Sequence, residues 1–316
     1  MLILMLTVFS ALLFGSSQMS PEEIMGGFLK RDGFNTQSII LYSVRLPRVI
    51  GGVLAGVGLS VSGCLLQAVT GNRLASPNII GVNSGAGLAI IMLLQFLPSA
   101  VYLQSAAAFF GAFVTAVIIV MLSSKINQGA SSVILSGIAL TTLFNAGISF
   151  MSYFNNDLLS SYNYFSVGGL SGCSNKQLIV SFVIIGVGFI LSLFLAVKTD
   201  ILRLGDNAAQ CLGVNVKALR YVCIIIASAC AAAVVCFAGL LGFVGLVVPH
   251  IARKLAGEKM SSLLPVSALC GAILVVIADL VGRTLFAPSE IPVGIVMAFI
   301  GSPFLFLLLV RGKKYD

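Results

Sequence analysis

The stretch GFVGLVVPHIAR, Gly242–Arg253, is the part of this sequence that decides the fold class. It joins two apolar runs and contains the only histidine of the chain, His250, beside Pro249. Proline lacks an N–H and breaks a helix. Gly242 and Gly245 permit a close backbone approach or unusual dihedral angles. Together these residues predict a short, interrupted helical segment at a membrane boundary.

The composition extends this prediction to the whole chain. Of its 316 residues, 59% are hydrophobic and 9% are charged, and the mean hydropathy is +1.10. A soluble domain cannot hide so much apolar surface, so its surroundings must be lipid. Uninterrupted apolar runs exclude a β-barrel, whose strands alternate apolar and polar residues. The sequence therefore predicts an all-α polytopic membrane protein with a single transmembrane domain over residues 1–316.

The apolar runs predict where the helices cross. A span takes about 20 helical residues, which leaves room for about ten spans with short connections. We place them near 1–15, 47–68, 78–98, 102–122, 131–154, 177–197, 219–241, 243–256, 262–285 and 292–310. The eighth is too short to cross cleanly. The first is also short, and because no basic region precedes Leu2–Phe14, a short helix is favoured over a cleaved signal peptide.

Basic residues in the loops predict the orientation. Loops on the side of both termini carry Arg73, Lys125, Lys198, Arg203, Lys217, Arg220, Arg253, Lys254, Lys259, Arg311, Lys313 and Lys314. The opposite side carries fewer, namely Lys30, Arg31, Arg45, Arg48, Lys176 and Arg283. Positive residues concentrate on the cytoplasmic side of membrane proteins. This bias places both termini in the cytoplasm.

Several functions have no support in the sequence. The net charge of +8 is scattered over many loops, so no nucleic-acid surface is predicted. The seven cysteines form no CxxC pair and are interpreted as small hydrophobic residues, and no metal site is expected. Neither a GxSxG elbow nor a second histidine exists, so no catalytic residue is predicted. Without a GxxxxGK[ST] loop, any ATP must be bound by another polypeptide.

One acid is placed to be buried in the membrane. Asp279, in GAILVVIADLVGR, has Arg283 one helical turn later, so the two side chains share a helical face. An intramembrane acid is a functional candidate, and both a structural ion pair and a substrate contact remain open. His250 is interpreted as a capping or packing residue rather than a proton carrier or metal ligand, because no second histidine or acid lies within helical reach.

The segment Lys198–Arg220, KTDILRLGDNAAQCLGVNVKALR, is polar enough to be solvated but has a helical pattern. We call residues 198–220 the coupling segment. Asp206 is predicted to cap a first short helix and Asn215 to cap a second, Val216–Arg220. Apolar residues facing away from the membrane would need a protein partner: Leu204, Leu212 and Val214. An ordinary ordered loop is the alternative.

Small residues recur where helices should pack. Gly52 and Gly56, four residues apart, and Ala229 and Ala233 form small-xxx-small steps. Such residues let helix backbones approach closely in lipid. Tight packing is the favoured interpretation, with a pore lining as the alternative.

Six segments in order resemble one protein family. They are RLPR with GGVLAGVGLSVSGCLLQ (45–67), GNRLASPNIIGVNSGAG (71–87), LGDNAAQCLGV (204–214), GFVGLVVPHIAR (242–253), DLVGR (279–283) and SEIPVGIVMAFIGSPF (289–304). Together they resemble the FecCD-type permease subunit of type II ABC importers for iron–siderophore, haem and cobalamin. One departure is Arg73, which stands where the family usually has proline.

The resemblance implies a homodimeric permease in the bacterial inner membrane, with ten spans per subunit and a path on the two-fold axis. Its partners would be two ATPase subunits, which hold ATP and Mg, and an extracytoplasmic substrate-binding protein; this chain would bind no cofactor. The implied ATPase-coupling residues are Leu204, Gly205, Asp206, Ala209, Leu212, Gly213 and Val214. The implied binding-protein docking residues are Arg45, Arg48 and Arg283, and the inner gate would comprise Ala130, Ser131 and Ser132.

Two other classes of function have less support in the sequence. A proton-coupled secondary transporter of a small solute would need several buried ionisable groups along one path, and the apolar runs offer essentially Asp279. An intramembrane enzyme would need paired acids or a nucleophile with its base. The sequence does not name the chelate that would be carried.

Overall fold

The computed structural model describes residues 1–15, 39–78, 81–126 and 130–312, and within these ranges all regular secondary structure is helical. The helices are α1 (Leu2–Leu13), α2 (Leu46–Thr70), α3 (Val82–Phe96), α4 (Gln104–Ile126), α5 (Ala130–Phe154), α6 (Asn156–Val167), α7 (Asn175–Phe194), α8 (Ala196–Leu202), α9 (Asp206–Cys211), α10 (Val216–Ala238), α11 (Val244–Ala256), α12 (Met260–Thr284) and α13 (Val293–Gly312). A π-helical turn, Leu41–Arg45, leads directly into α2.

The predicted membrane architecture is confirmed. In the described part of the chain, six helical segments are long and apolar enough to cross a membrane: α2 with its π-helical turn, α4, α5, α7, α10 and α12. Shorter apolar helices are α1, α3 and α13. Helix α11 has 13 residues, in agreement with the short eighth segment expected from the sequence. Each predicted span therefore corresponds to one helix, and α6, α8 and α9 are short helices between spans.

Helices α2 and α10 form the centre of the bundle. In their most apolar windows, 83% of α2 and 72% of α10 are buried inside the chain, against 28% for α4, α5 and α7. The peripheral helices therefore turn most of their apolar surface outward, which is favourable only in lipid. The central pair instead packs against other parts of the same chain.

Small residues bring α2 into contact with its neighbours, as predicted. A side-chain carbon built on Gly56 would overlap the backbone of Gly271 in α12, and one built on Gly63 would overlap Gly245 in α11. Because only hydrogen fits at these contacts, glycine is required for the close helix approach. The tight-packing interpretation of the small residues around Gly56 therefore holds.

The stretch Gly242–Arg253 departs from prediction in two ways. Pro249 does not break the helix, because α11 continues through it from Val244 to Ala256. The unusual backbone angle lies at Phe243, with a φ of 65°, rather than at a glycine. Gly245 supplies the other predicted property, since its α-carbon packs against Gly63.

Gln67 explains why a proline is tolerated inside α11. Pro249 has no N–H to donate to the carbonyl of Gly245, four residues earlier, so this carbonyl lacks its helical partner. The Gln67 side chain, from α2, donates Nε2–H to the Gly245 oxygen at 3.3 Å. Its Oε1 accepts a hydrogen bond of 2.6 Å from Arg253 Nη2. One buried amide thereby holds both ends of α11.

The bundle has two distinguishable ends. Helix α1 ends beside Arg45 and Arg283, and α12 ends at the same place. We call this the outer end. The coupling segment, the end of α2 and the start of α12 meet at the opposite side, which we call the inner end.

Candidate functional site at the two ends of the bundle

The outer end holds a group of charges, the outer cluster: the buried Arg45, Arg48, Asp279 and Arg283, and the more exposed Glu290. At its centre, Arg48 Nε donates to both oxygens of Asp279, at 2.9 and 3.1 Å. Arg48 Nη1 donates to Glu290 Oε2 at 2.7 Å. Arg48 lies on α2, Asp279 on α12, and Glu290 just before α13, so one guanidinium joins three parts of the chain.

The predicted ion pair of Asp279 and Arg283 is present but is not the main contact. Arg283 Nε lies 3.5 Å from Asp279 Oδ2, farther than Arg48. Arg283 Nη2 donates instead to the Ala11 carbonyl, and Arg45 Nη1 donates to Leu12 and, at 3.0 Å, to Leu13. Cations at a helix C-terminus satisfy its unpaired carbonyls and complement its dipole. Both arginines therefore anchor the end of α1.

The outer arginines are turned inward. Arg45, Arg48 and Arg283 expose only 3%, 7% and 3% of their surface. Such burial does not fit a contact of Arg45 or Arg48 with lipid headgroups. A role in docking a binding protein stays a prediction, and it would require these side chains to leave their internal partners. Separating a buried ion pair is costly.

A cavity of about 680 Å³ lies beside the outer cluster. It is bordered by α4, α6, α7, α10 and the start of α13. Its polar wall includes Gln104, Ser161, Asn163 and Gln177, and among the described lining residues Glu290 alone is charged. This volume lies within the range of small-molecule sites, and the Arg48–Glu290 ion pair connects its wall to the outer cluster.

At the inner end, the coupling segment is held by Arg220. Arg220 Nη2 donates to both oxygens of Asp206, at 3.0 and 3.2 Å, and its Nε donates to the Val69 carbonyl at 3.0 Å. The predicted capping role of Asp206 is wrong, because Gly205 is the N-cap residue and Asp206 is the first residue of α9. The Asp206 carboxylate instead ties α9 to the start of α10.

Asn215 caps a helix as predicted, but the helix is a long one. Its side-chain oxygen accepts from the Ala218 N–H at 3.1 Å. The expected short helix Val216–Arg220 is wrong, since α10 continues to Ala238 as a membrane span. A cap residue marks where a helix begins, and the apolar run that follows carries it onward.

The end of α9 determines which apolar residues face outward. Gly213 has a φ of 79°, and the Val214 N–H donates to the Ala209 carbonyl at 3.0 Å, a glycine-dependent helix ending. Ala209 is fully buried, and Val214 packs against the core, so the outward position expected for Val214 is wrong. Leu204 and Leu212 are 68% and 61% exposed. These two leucines form the apolar surface of the coupling segment.

A second set of charges at the inner end was missed by sequence reasoning. Glu258, in the turn between α11 and α12, receives hydrogen bonds from Arg203 and, at 3.2 Å, from Arg73. Arg253 Nε lies 3.7 Å away. Partial burial works to raise the pKa of Glu258, but the hydrogen bond and charges of the arginines outweigh it, and the pKa lies below its ordinary value. No pattern marked Glu258, because its partners come from α11 and from the connections that follow α2 and α8.

The FecCD transport family model matches residues 3–311. The chain belongs to the FecCD transport family. Among its relatives, the Fe(3+)-citrate import system permease protein YfmE of Bacillus subtilis is 40% identical over 303 residues, covering 95% of this chain and 90% of the relative. The vitamin B12 import system permease protein BtuC of Vibrio cholerae is 37% identical over 278 residues, covering 86% and 83%.

A solved structure agrees with the family assignment. This FecCD-family chain matches an inward-facing protein assigned as a metal-chelate type ABC transporter, with a TM-score of 0.87 and 30% identity. The match covers 98% of this chain and 97% of the other. The resemblance found in the sequence motifs is therefore confirmed, along with the fold that it implied.

The predicted inner gate is only partly described. The side chains of Ala130 and Ser131 lie outside the described part of the chain. Ser132 is 1% exposed, and its hydroxyl donates to the Ser123 carbonyl at 3.4 Å. The gate at these residues stays a prediction.

His250 packs edge-to-face on Phe304, with 5.6 Å between the ring centroids, which agrees with the predicted packing role.

Proposed function

We propose that this FecCD-family chain is the permease subunit of an ATP-driven importer that takes a metal chelate from an extracytoplasmic binding protein. The observation that carries this proposal is the coupling segment, a solvated pair of short helices that presents Leu204 and Leu212 outward. Arg220 fixes this segment to α2 and α10. A rigidly held apolar surface at the inner end suits the docking of a second protein.

The partner proposed for this surface is an ATPase subunit, two of which would serve a permease homodimer. The sequence contains no phosphate-binding loop, so ATP and Mg would be held by the partner. ATP binding and hydrolysis would then bias the helical bundle between inward-facing and outward-facing arrangements. This chain itself would not be an enzyme.

The cargo and orientation follow from the relatives and the charges. Two relatives are permeases of import systems for Fe(3+)-citrate and for vitamin B12, and this supports a metal chelate as cargo here. The excess of basic residues in loops of the inner end supports a cytoplasmic location for that end and for both termini. The membrane would then be the bacterial inner membrane.

Replacing Leu212 tests the ATPase contact. A charge inside a desolvated contact is costly, so Leu212→Asp is expected to release the ATPase or to abolish ATP-driven uptake by the reconstituted complex. Leu285→Asp is a matched control for co-purification of the ATPase, since Leu285 is 64% exposed, close to the 61% of Leu212, but lies at the outer end. Co-purification and uptake of ferric citrate, haem or cobalamin into proteoliposomes are the measurements.

The outcomes separate the proposed function from its main alternative. Loss of co-purification or uptake in Leu212→Asp, with Leu285→Asp unaffected, supports the importer. Wild-type uptake that needs a pH gradient and proceeds without any ATPase would instead establish the proton-coupled secondary transporter. If Leu212→Asp and Leu285→Asp co-purify with the ATPase to the same extent, the proposed role of Leu212 in binding the ATPase is contradicted.

Two further parts of the proposal have their own tests. Docking of the binding protein at the outer arginines is supported if Arg48→Glu slows association more at low than at high salt. Asp279→Ala, which breaks the same buried ion pair without adding a negative charge, should not show this salt dependence. A gate on the dimer axis is supported if Ser131→Cys forms a cross-link between two subunits that depends on the nucleotide state. An association rate equal to that of the wild type contradicts docking at the outer arginines. A cross-link that is absent in every nucleotide state contradicts the gate.

A further inference from the structure

The inner end connects the coupling segment to α12 through a route separate from Arg220. Asp200, on α8, accepts hydrogen bonds from the Met260 N–H at 3.0 and 3.2 Å through its two carboxylate oxygens. Met260 is the first residue of α12, and the N-cap residue of that helix, Lys259, makes no capping bond with its own side chain. Asp200 therefore caps α12 from another helix, and its negative charge complements the helix dipole there.

Arg203 reinforces this connection. Its guanidinium lies 3.8 Å from Asp200 and donates to both the backbone carbonyl and the carboxylate of Glu258. Arg203 directly follows α8, and Glu258 lies in the turn that precedes α12. Asp200, Arg203 and Glu258 thus join the start of the coupling segment to the turn between α11 and α12. The connection includes contacts to side chains and contacts to the backbone.

Helix α12 runs from this connection to the outer cluster. It begins at Met260, beside Asp200, and contains Asp279, which pairs with Arg48 at the outer end. Pro265 removes one backbone hydrogen bond from its second turn, but α12 continues without a break to Thr284. A continuous helix can carry a displacement from one end to the other. Helix α12 is also in close backbone contact with the central helix α2 through Gly56 and Gly271.

We propose that Asp200, Arg203 and Glu258 are positioning residues that transmit movement of the coupling segment to α12. This inference rests on the proposed function, since it assigns a route for a signal from the ATPase. In this arrangement, displacement of α8 and α9 moves the start of α12 directly, while Arg220 moves the end of α2 and the start of α10. The two routes act on different helices, so each can be broken separately.

The first test measures coupling. Asp200→Ala, in the complex with its ATPase in proteoliposomes, is expected to lower the cargo transported per ATP hydrolysed by about fivefold. Co-purification of the ATPase should be retained, because Leu204 and Leu212 are untouched. Arg203→Gln should act in the same direction while leaving the Asp200 cap intact. Asp157→Ala, which removes an exposed acid at the outer end, is the control.

The second test measures the mechanical connection itself. Spin labels at Val197→Cys on α8 and Ser261→Cys on α12, both exposed positions, report the separation of the two helices in a Cys211→Ser background. Labelled permease is diluted with unlabelled permease, so that label pairs within one subunit dominate in a homodimer. We then expect one narrow distance distribution in the otherwise wild-type protein, with and without ATP. Asp200→Ala should broaden it. A merely destabilising variant would lower the unfolding temperature without this local change.

The outcomes distinguish this inference from the proposed function. A wild-type complex that shows no ATP-dependent uptake overturns the proposed function and this route with it. Wild-type uptake combined with an unchanged transport ratio and an unchanged distance distribution in Asp200→Ala overturns the route alone. A lowered ratio with a broadened distribution supports it.

Discussion

The two ends of α12 carry similar charged groups in opposite surroundings. At the outer end, Arg48, Asp279 and Arg283 are at least 92% buried, whereas at the inner end the side chains of Arg73 and Glu258 are 69% and 49% exposed. Exposed ion pairs contribute about 0–1 kcal/mol each. Breaking a buried pair leaves an uncompensated charge and costs about 3–5 kcal/mol.

This difference separates two roles for ionic contacts in one helix. The outer cluster lies where α1, α2, α12 and the start of α13 meet, so its burial makes the contact hard to open. The exposed pair of Arg73 and Glu258 can exchange partners with water at little cost, whereas Arg203 and Asp200, whose side chains are 29% and 31% exposed, are better shielded. The comparison predicts a large effect on stability at the outer end and small effects at the inner surface.

The largest effect is expected from Asp279→Ala. Removing this carboxylate leaves the buried guanidiniums of Arg48 and Arg283 without their shared counter-ion. The free energy of unfolding should fall by about 3–5 kcal/mol, measured by thermal or denaturant unfolding in detergent. Asp157→Ala, at an exposed acid, should change little. Equal stability of the two variants would contradict the role assigned to burial.

Gln67→Leu should have an intermediate effect. It removes the donor for the Gly245 carbonyl and the acceptor for Arg253, both inside the protein. Leaving buried polar groups without partners costs about 1–3 kcal/mol. Gln95→Leu, at an exposed glutamine on α3, is the matched control in the same unfolding assay. A Gln67→Leu protein as stable as this control would show that Pro249 needs no substitute donor.

Arg73→Gln should have a small effect, below about 0.5 kcal/mol, because its ion pair with Glu258 is exposed. The same unfolding assay, repeated at low and high salt, provides the measurement. The difference in unfolding free energy between the wild type and Arg73→Gln should shrink further at high salt, because surface charges are screened there. A loss as large as that of Gln67→Leu would erase the distinction between the exposed and buried charges.

The smallest effect is a pH dependence at Glu258. Burial acts to raise its pKa, yet the bound Arg203 and the neighbouring arginines bring that pKa below its ordinary value. A carboxyl group with a lowered folded-state pKa stabilises the protein above its unfolded-state pKa, and this is lost as the pH falls through the folded-state pKa. The stability difference between wild type and Glu258→Gln should therefore stay constant from about pH 8 to about pH 6. It should shrink only in more acidic solution.

A change in that difference across the neutral range would contradict the ion pairing described for Glu258. Comparison with Asp157→Asn over the same pH values separates this local titration from a general effect of pH on the bundle. The stability difference is expected to fall only at acidic pH, because the pKa of Glu258 is shifted downward.

Local patterns in the sequence were sufficient for much of the fold. Apolar runs located the membrane helices, since lipid leaves the backbone few other ways to satisfy its hydrogen bonds. Asn215 was identified as a cap because capping involves only neighbouring residues. Asp206 was misassigned by the same rule, because Arg220, fourteen positions later, competes for its carboxylate. A pattern of neighbouring residues predicts a side-chain contact well only when no residue distant in the sequence makes a stronger contact with the same side chain.

What the sequence alone determined is therefore the class of protein, its family and the positions of its helices, each of which depends on composition, periodicity or contiguous motifs. Tertiary structure decided the partners. Asp279 pairs chiefly with Arg48, 231 positions away, rather than with Arg283, four positions away. Likewise, a glutamine of α2 replaces the hydrogen bond that Pro249 cannot make. Such contacts depend on which helices pack side by side, and helix packing is set by the shapes of whole surfaces.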